Sequence, residues 1–486
     1  MISTSLTSGA VKKQARHIWR NAKLLQIVAA VVAWLCIWQL VAFAVGMDLL
    51  LAGPLQTFQA LLQLFVSGEV VTTVLWSFLR IACGFILAYA TALLLAYSAW
   101  RHTTLEMFLH PALLAIKSTP VVCIVVMLLI WFGAPWVSLC CVLLVVLPAT
   151  YFAALEGFRA LDSQRLRMLK LYRVDSLHQF GAYIWPALQS YLHASAKMTV
   201  GMSWKAGVAA ELIGSPAGSI GERIYQAKIV LETADVFAWT IVIVLLAYIC
   251  EQMFLYFLLH SADICTAWAI RTAAKKQQAA PISKKLVITS LSCSRGEKQL
   301  FEGFTQSFAA GSKTCLMAAT GTGKTTLLHI IAGIECADRG ELEHEGHVSL
   351  AYQKTCLLEQ LSALDNLVLA TGLPFAETEK LLCEILPLEL LSQPVCQLSG
   401  GERRCVELVR ALAAPSTLIL LDEPFASLDE ETHRRSAEFI LRHLAGRTLI
   451  VATHDVGDAT LLGASILMLD IDRRPYFINM YPLLCS

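Results

Sequence analysis

A glycine-rich turn with a lysine and neighbouring threonines is the part of this chain best suited to bind phosphate. It follows an apolar run that ends at Met317 and leads into Leu327-Leu328-His329-Ile330-Ile331, which predicts a strand, a turn and a helix start. Glycines let backbone N–H groups approach phosphate oxygens, Lys324 reaches the same oxygens, and Thr325 offers a hydroxyl to Mg²⁺. An ordinary strand-to-helix turn is the alternative. The turn is Ala318-Ala319-Thr320-Gly321-Thr322-Gly323-Lys324-Thr325-Thr326, with alanine at the first position, where the full nucleotide-loop pattern has glycine.

Downstream polar residues fall where phosphate chemistry needs a metal ligand and a base. An apolar run from Leu418 to Leu421 leads into Asp422 and Glu423, so a buried strand would place Asp422 to hold the metal and Glu423 to polarise water. Gln353 ends another strand-like segment and offers an amide to the metal and the attacking water. His454 follows a further strand-like run, and its imidazole can contact the γ-phosphate.

A second glycine-containing segment precedes another predicted helix. Its serine hydroxyl and backbone N–H groups would form an anion nest. The segment is Leu398-Ser399-Gly400-Gly401-Glu402, and Ser427-Leu428-Asp429 follows the acidic pair. Taken singly, an acidic pair is often a solvated strand end and a lone histidine is usually structural. Five ordered motifs are not explained in that way.

In type and order these motifs resemble those of ABC ATPases over about residues 283–470. The resemblance implies an α/β P-loop domain over residues 283–486 that uses ATP and Mg²⁺, with Glu423, His454 and Gln353 as catalytic residues. It also implies that the segment Leu398-Ser399-Gly400-Gly401-Glu402, called the signature, of one subunit completes the ATP site of the other. A chain with one ATPase domain would therefore act as a homodimer. The other implied site residues are Thr320, Gly321, Thr322, Gly323, Lys324, Thr325 and Thr326 for nucleotide, Thr325, Asp422 and Gln353 for metal, Ser399, Gly400, Gly401 and Glu402 for the signature acting in trans, and Asp429 in the dimer loop.

This ATPase-like half departs from the family pattern beyond Ala318. The aromatic residue that stacks on adenine would fall near Ser294-Arg295, where no aromatic is present, and the planar guanidinium of Arg295 is the candidate substitute. Cys405 takes a position after the signature that is commonly basic. The short segment between Gln353 and Leu398 predicts a trimmed helical lobe.

Composition separates the chain into two unlike halves. Of its 486 residues 56% are apolar, and long apolar runs crowd the first 260, whereas the remainder has the composition of a soluble α/β domain. The net charge of +1 argues against nucleic acid as a partner. The fifteen cysteines form no C-x-x-C pair, so we expect reduced thiols and no disulfide framework.

The apolar runs predict about six membrane spans. The first run, Leu24 to Gly46, follows a basic tail over residues 1–23; an uncleaved span is favoured over a signal peptide ending near Ala42-Phe43-Ala44. Six spans leave both termini on one side of the bilayer, and the basic residues place that side in the cytoplasm of a bacterial cell. The other predicted spans are near 71–99, 107–132, 136–156, 186–212 and 236–259.

The apolar half resembles permeases of the nitrate/taurine/sulfonate importer group. The resemblance implies a type I importer-like permease over residues 24–260, whose basic loop 157–180 docks a short helix on the ATPase; Arg165, Arg167 and Arg173 lie in this coupling loop, and Arg173 replaces its usual glycine. A linker over 261–282 would join the domains. The fragments that carry the resemblance are Leu51-Ala52-Gly53-Pro54, Ser77-Phe78-Leu79-Arg80, Gly84-Phe85, Trp131-Phe132-Gly133, Trp204-Lys205 and Ala210-Glu211.

The resulting hypothesis is an ATP-driven importer of a small anionic solute of the sulfonate/taurine, nitrate or bicarbonate class, delivered by a separate extracytoplasmic solute-binding protein. An exporter is the nearest alternative, because a membrane domain fused before an ATPase is common among exporters. A non-transporting ATP-gated membrane sensor is the third. Within the spans, Lys205 and Glu211 either line the solute pathway or simply pair with neighbours near a helix end.

Overall fold

The computed structural model describes residues 5–47, 49–66, 68–274, 284–296, 298–319, 321–469 and 476–478. The chain divides into two compact units. An N-terminal unit comprises residues 1–159 and 188–259, and a C-terminal unit comprises residues 160–187 and 260–486. Residues 160–180, which are most of the predicted coupling loop 157–180, therefore group with the ATPase half.

Helices make up most of the described chain before residue 274. A π-helical turn over Phe180–Ile184 separates the eighth and ninth of them. They are α1 (Ser5–Val45), α2 (Pro54–Val66), α3 (Glu69–Arg101), α4 (Thr103–Ser118), α5 (Val121–Phe132), α6 (Ala134–Arg159), α7 (Ser163–Leu171), α8 (Ser176–Gln179), α9 (Trp185–Gly214), α10 (Ile220–Val230) and α11 (Thr233–Ala273).

Fewer helices qualify as membrane spans than the sequence predicts. Among the described residues, four are long and apolar enough to cross a bilayer: Leu25–Val45, Glu69–Arg101, Ala134–Arg159 and Thr233–Ala273. The predicted span over 107–132 is instead the pair α4 and α5, bent by 103°, which adds a fifth span if counted as one. Pro120 lies at the bend, where it lacks an N–H group and restrains the preceding residue to extended backbone.

Helix α9 covers the predicted span 186–212 in one piece but is less apolar than the four spans.

Close packing elsewhere in this unit relies on small residues. A Cβ on Gly84 of α3 would stand 2.6 Å from the carbonyl oxygen of Leu139 on α6, so only glycine allows this approach of the two backbones.

Two predicted boundaries lie within helices. Helix α1 begins at Ser5, so the backbone of the predicted basic tail is continuous with the first span. Helix α11 continues to Ala273 through the first half of the predicted linker 261–282, because residues 261–273 contain neither proline nor glycine to end it. Residues 275–283, including Pro281, lie outside the described residues.

The C-terminal unit contains two sheets. The first is antiparallel with order β2-β1-β4, and the second has order β5-β6-β7-β3-β8-β9, parallel except for β9. The strands are β1 (Leu286–Arg295), β2 (Lys298–Phe308), β3 (Lys313–Met317), β4 (Arg339–His344), β5 (Val348–Ala351), β6 (Leu418–Asp422), β7 (Thr448–Ala452), β8 (Ser465–Met468) and β9 (Tyr476–Ile478). The helices are α12 (Lys324–Ile331), α13 (Ala363–Thr371), α14 (Phe375–Cys383), α15 (Gly400–Ala413), α16 (Glu430–His443) and α17 (Val456–Leu462).

The parallel sheet brings the predicted motifs to one edge. Strands β3, β6 and β7 are neighbours, and their residues are almost entirely buried, as continuous apolar runs between helices require. The carboxyl ends of parallel strands share an edge, which is where α/β folds bind ligands. The turn before α12, the acidic pair and His454 all follow these ends.

Candidate functional site

The glycine-rich turn has the backbone conformation that a phosphate cradle needs. Gly321 and Gly323 have φ angles of +80° and +100°, and a Cβ on Gly323 would stand 3.0 Å from the ring of Phe301. The Nζ atom of Lys324 donates to the carbonyl oxygen of Ala318 at 2.6 Å, which leaves two of its three hydrogens for phosphate. Thr326 follows in α12, and Thr320 lies outside the described residues.

Asp422 and Thr325 form a set of oxygen donors suited to Mg²⁺. The Asp422 carboxylate is buried, and its Oδ2 atom has no hydrogen-bond partner among the described residues. Burial raises the pKa of Asp422, while a hydrogen bond from Thr325 opposes the shift. A buried carboxylate with an oxygen that has no described hydrogen-bond partner, beside a hydroxyl at a helix start, fits a hard divalent cation. Gln353 follows β5 with an exposed side chain that could join this set.

The backbone at Glu423 leaves the extended conformation of β6, which ends at the preceding residue. Its φ angle is +47°, in the left-handed region, and its backbone N–H donates to the carbonyl oxygen of Ala452 at 2.9 Å. Such a conformation costs a residue with a Cβ roughly 1–2 kcal/mol. His454 is mostly exposed, with 74% of its side chain accessible, and lies near the Glu423 carboxylate. A carboxylate and an imidazole therefore lie close together where β6 and β7 end.

The signature segment forms the start of α15. The Oγ atom of Ser399 accepts from the N–H of Glu402 at 3.3 Å, and the Glu402 carboxylate accepts from the N–H of Ser399 at 2.7 Å. This reciprocal pair is a capping box. Gly400 is exposed, and a Cβ there would meet no atom within 4 Å. Asp429 caps α16 in a similar way, and hydrogen bonds from Thr432 lower its pKa.

The candidate adenine-stacking residue has an ion-pair partner. Arg295 pairs with Glu335, whose other carboxylate oxygen lies 3.1 Å from Nδ1 of His329. Burial lowers the pKa of His329, with nearby arginines adding to the shift. Lys298, which the sequence did not single out, donates from Nζ to the carbonyl oxygen of Gly321 at 2.9 Å. A second ammonium group thus lies on the phosphate turn beside that of Lys324.

The predicted coupling loop contacts the ATPase half within the C-terminal unit. We call the part of the loop in that unit, residues 160–180, the coupling segment. The Nη2 atom of Arg165 lies 2.6 Å from Oε1 of Glu359. Arg167, on the same helix α7, is exposed, and its one described hydrogen bond goes to Ser163 at 3.4 Å. Arg173 has a φ angle of +52°, so it adopts the conformation that glycine favours at the position where the resemblance implies glycine.

Of the two polar residues considered for the solute pathway, Glu211 is fully buried in the N-terminal unit. Its Oε2 atom accepts from the Ser77 hydroxyl at 2.8 Å, and Oε1 lies 3.9 Å from the Arg80 guanidinium. The backbone N–H of Gly221 completes this network at 3.4 Å. Lys205, on the same helix, is exposed. The surroundings of Glu211 are those of an interhelical polar contact.

Two family models match the two halves of the chain. The family described as "Binding-protein-dependent transport system inner membrane component" matches residues 84–260, and the family described as "ABC transporter" matches residues 301–426. The matches fall on the helical half and on the sheet-containing half, in the order that the sequence predicts.

Curated relatives are similar to the ATPase half. "Aliphatic sulfonates import ATP-binding protein SsuB" of Corynebacterium glutamicum is 33% identical over 193 residues, which cover 38% of this chain and 79% of the relative. "Taurine import ATP-binding protein TauB" of Pseudomonas aeruginosa is 32% identical over 194 residues, which cover 36% and 74%. A solved dimeric ATP-binding cassette, MJ0796 bound to ADP and Pi, is 22% identical with a TM-score of 0.37, covering 40% of this chain and 99% of that one.

Proposed function

The chain belongs to the ABC transporter family and joins a permease domain to an ATPase that drives transport, and from this we propose that it imports a small anionic solute of the sulfonate/taurine class. The observation that carries the proposal is the pairing of a binding-protein-dependent permease match with an ATPase whose relatives are named for sulfonate and taurine import. Nitrate and bicarbonate remain the alternative solutes.

The ATPase residues act together as a hydrolytic site. Thr325 and Asp422 would hold Mg²⁺, which would neutralise phosphate charge, and Lys324 and the turn N–H groups would bind the β- and γ-phosphates. Glu423 orients and deprotonates the attacking water, and His454 contacts the γ-phosphate. Gln353 reports the state of this site to the coupling segment. The unpartnered, buried carboxylate oxygen of Asp422 supports the metal assignment.

The working unit that we propose is a homodimer. One chain carries one phosphate turn and one signature, and Ser399 lies at an exposed helix start, where the capping box uses the N–H groups of Ser399 and Glu402 and leaves those of Gly400 and Gly401 for an anion. A partner's nucleotide fits this position, which gives two composite ATP sites. The permease match supports the proposal of a separate solute-binding protein. Basic residues on the terminal and coupling segments favour a bacterial cytoplasmic membrane location with the ATPase and both termini in the cytoplasm.

Uptake of radiolabelled taurine by cells that lack their own taurine transporters tests the proposal, with the chain expressed beside a cognate binding protein. Accumulation that is lost in Glu423→Gln supports import. ATP-dependent loss of preloaded taurine would instead show an exporter, and hydrolysis without movement of taurine, nitrate or bicarbonate would show a sensor. Competition by unlabelled ethanesulfonate, nitrate and bicarbonate ranks the solute classes.

A further inference from the structure

Helix α15, which begins with the signature, carries an ion pair that is fully buried. The Nη2 atom of Arg410 lies 3.1 Å from Oε1 of Glu407, and both side chains are 0% exposed. Burial raises the pKa of Glu407, and the Arg410 charge opposes that shift. A buried ion pair seldom adds stability over apolar residues of similar size. Stabilisation of the core therefore does not explain why this ion pair is present. The hydrogen bonds that it makes to neighbouring segments do.

The ion pair holds the backbone on both sides of Gln353. The Oε1 atom of Glu407 accepts from the N–H groups of Tyr352 at 3.3 Å and Cys356 at 3.1 Å. The Nη1 atom of Arg410 donates to the carbonyl oxygen of Cys356 at 2.7 Å. Any movement of α15 along its axis must carry the segment 352–356 with it or break these three hydrogen bonds.

The same guanidinium reaches the coupling segment. Its Cζ atom lies 4.8 Å from the ring centre of Tyr172, which is within range of a cation–π contact. The Tyr172 hydroxyl donates to the carbonyl oxygen of Leu350 at 3.0 Å, on the strand that leads to Gln353. Tyr172 directly follows α7. Its side chain therefore connects α7, which lies in the coupling segment, to both α15 and β5.

We infer that Glu407, Arg410 and Tyr172 form a relay between the signature helix and the coupling segment. They are positioning residues, because they contact the backbone on both sides of Gln353 and none of them is among the residues that we propose to bind nucleotide. The start of α15 binds the partner's nucleotide in the proposed dimer, its middle holds the segment of Gln353, and Tyr172 passes the displacement to α7. The inference rests on the proposed function, since a relay of this kind serves ATP-driven movement of the permease.

Hydrogen exchange measured by mass spectrometry on the full chain in lipid nanodiscs tests the relay. In a Glu423→Gln background, Mg-ATP should change exchange both at residues 321–331 and at residues 163–175. Adding Tyr172→Leu should remove the change at 163–175 and leave that at 321–331. Tyr172→Phe keeps the ring and should retain both changes. Arg167→Ala, on the same helix and with its described hydrogen bond to Ser163, is the matched control and should retain both changes.

An unaltered ATP response at 163–175 in Tyr172→Leu would overturn the relay. Loss of the response at both segments would also overturn it, because Tyr172 would then support the nucleotide site itself. Arg410→Lys gives an independent measurement: it keeps the charge but removes the planar face, so it should reproduce the Tyr172→Leu pattern. If taurine uptake is absent while these exchange patterns hold, the solute assignment fails and the relay stands.

Discussion

The Nδ1 atom of His454 lies 3.8 Å from Oε1 of Glu423, although the two residues leave different strands. The left-handed backbone of Glu423 produces this proximity, because it turns the side chain away from the direction that β6 would give it. Glu423 thus has an unfavourable backbone conformation next to Asp422, the residue that we propose as a metal ligand. Strain of this kind is typical of functional sites.

Glu423→Gln should bind ATP normally and hydrolyse it about 100-fold or more slowly, because the amide cannot accept the proton of water. ATP affinity and steady-state hydrolysis of the full chain in nanodiscs measure the two effects. Glu430→Gln, at the start of α16, is a matched control that should retain hydrolysis. Wild-type turnover in Glu423→Gln would remove this residue from the role of base.

Arg165→Glu should lower taurine uptake per ATP hydrolysed while ATP affinity stays unchanged. The ion pair with Glu359 is partly exposed, so it contributes at most about 1 kcal/mol, roughly a factor of five. Arg167→Glu has the same charge change without that partner and should have a smaller effect. Exchange of the charges in Arg165→Glu with Glu359→Arg should restore coupling; failure to do so would mean that the ion pair is not the cause.

Arg295→Ala should raise the KM for ATP several-fold without abolishing turnover, because loss of a stacked guanidinium costs about 1 kcal/mol. GTP should be a usable substrate, since positions 294 and 295, where an aromatic residue would stack on the base, hold serine and arginine. Glu335→Gln releases the guanidinium from its ion pair and should alter the same KM. If KM for ATP is unchanged in Arg295→Ala and rises in Lys298→Ala, the lysine on the phosphate turn is the binding residue instead.

Arg173→Gly should stabilise the chain by about 1 kcal/mol, because the φ angle of +52° disfavours a residue with a Cβ. Thermal unfolding in detergent measures the shift in midpoint. Arg173→Ala removes the same side chain but keeps the Cβ, so it should not give this gain. Lys170→Gly, within α7, should destabilise by about the same amount. Equal shifts of the unfolding midpoint in Arg173→Gly and Arg173→Ala would show that loss of the arginine charge, and not relief of backbone strain, causes the change.

Asp422→Asn should stabilise the chain in the absence of metal at neutral pH. Burial raises the pKa of Asp422 in the folded state, so ionisation favours unfolding, and stability falls as pH rises from the ordinary carboxyl pKa through the raised one. The difference between wild type and variant should therefore disappear under acid conditions. Mg-ATP should stabilise wild type much more than Asp422→Asn; equal stabilisation by Mg-ATP would contradict the metal assignment.

The sequence predicts the parts of this protein whose signals are local. The phosphate turn, the acidic pair and the signature each combine a recognisable residue pattern with a strand or helix beside them. Distant partners are not predicted: Glu359 lies 194 residues from Arg165, and nothing near either residue specifies the other. Glu407 and Arg410 were missed because charged residues three apart on a helix ordinarily indicate a solvated face. Helix α11 extends beyond the predicted span 236–259 to Ala273, because the polar residues after 260 do not break a helix.

The capping box of Ser399 and Glu402 places a carboxylate of the chain itself at the N-terminus of the signature helix, where it accepts from the N–H group of the capping residue Ser399. Glu402 is thus a tethered competitor for any anion that approaches this helix start. In the homodimer that we propose, a nucleotide held by the other subunit must displace or outweigh that carboxylate before the two ATPase domains can close. Closure should consequently respond to the number of phosphate charges presented, so that a triphosphate drives it and a diphosphate releases it.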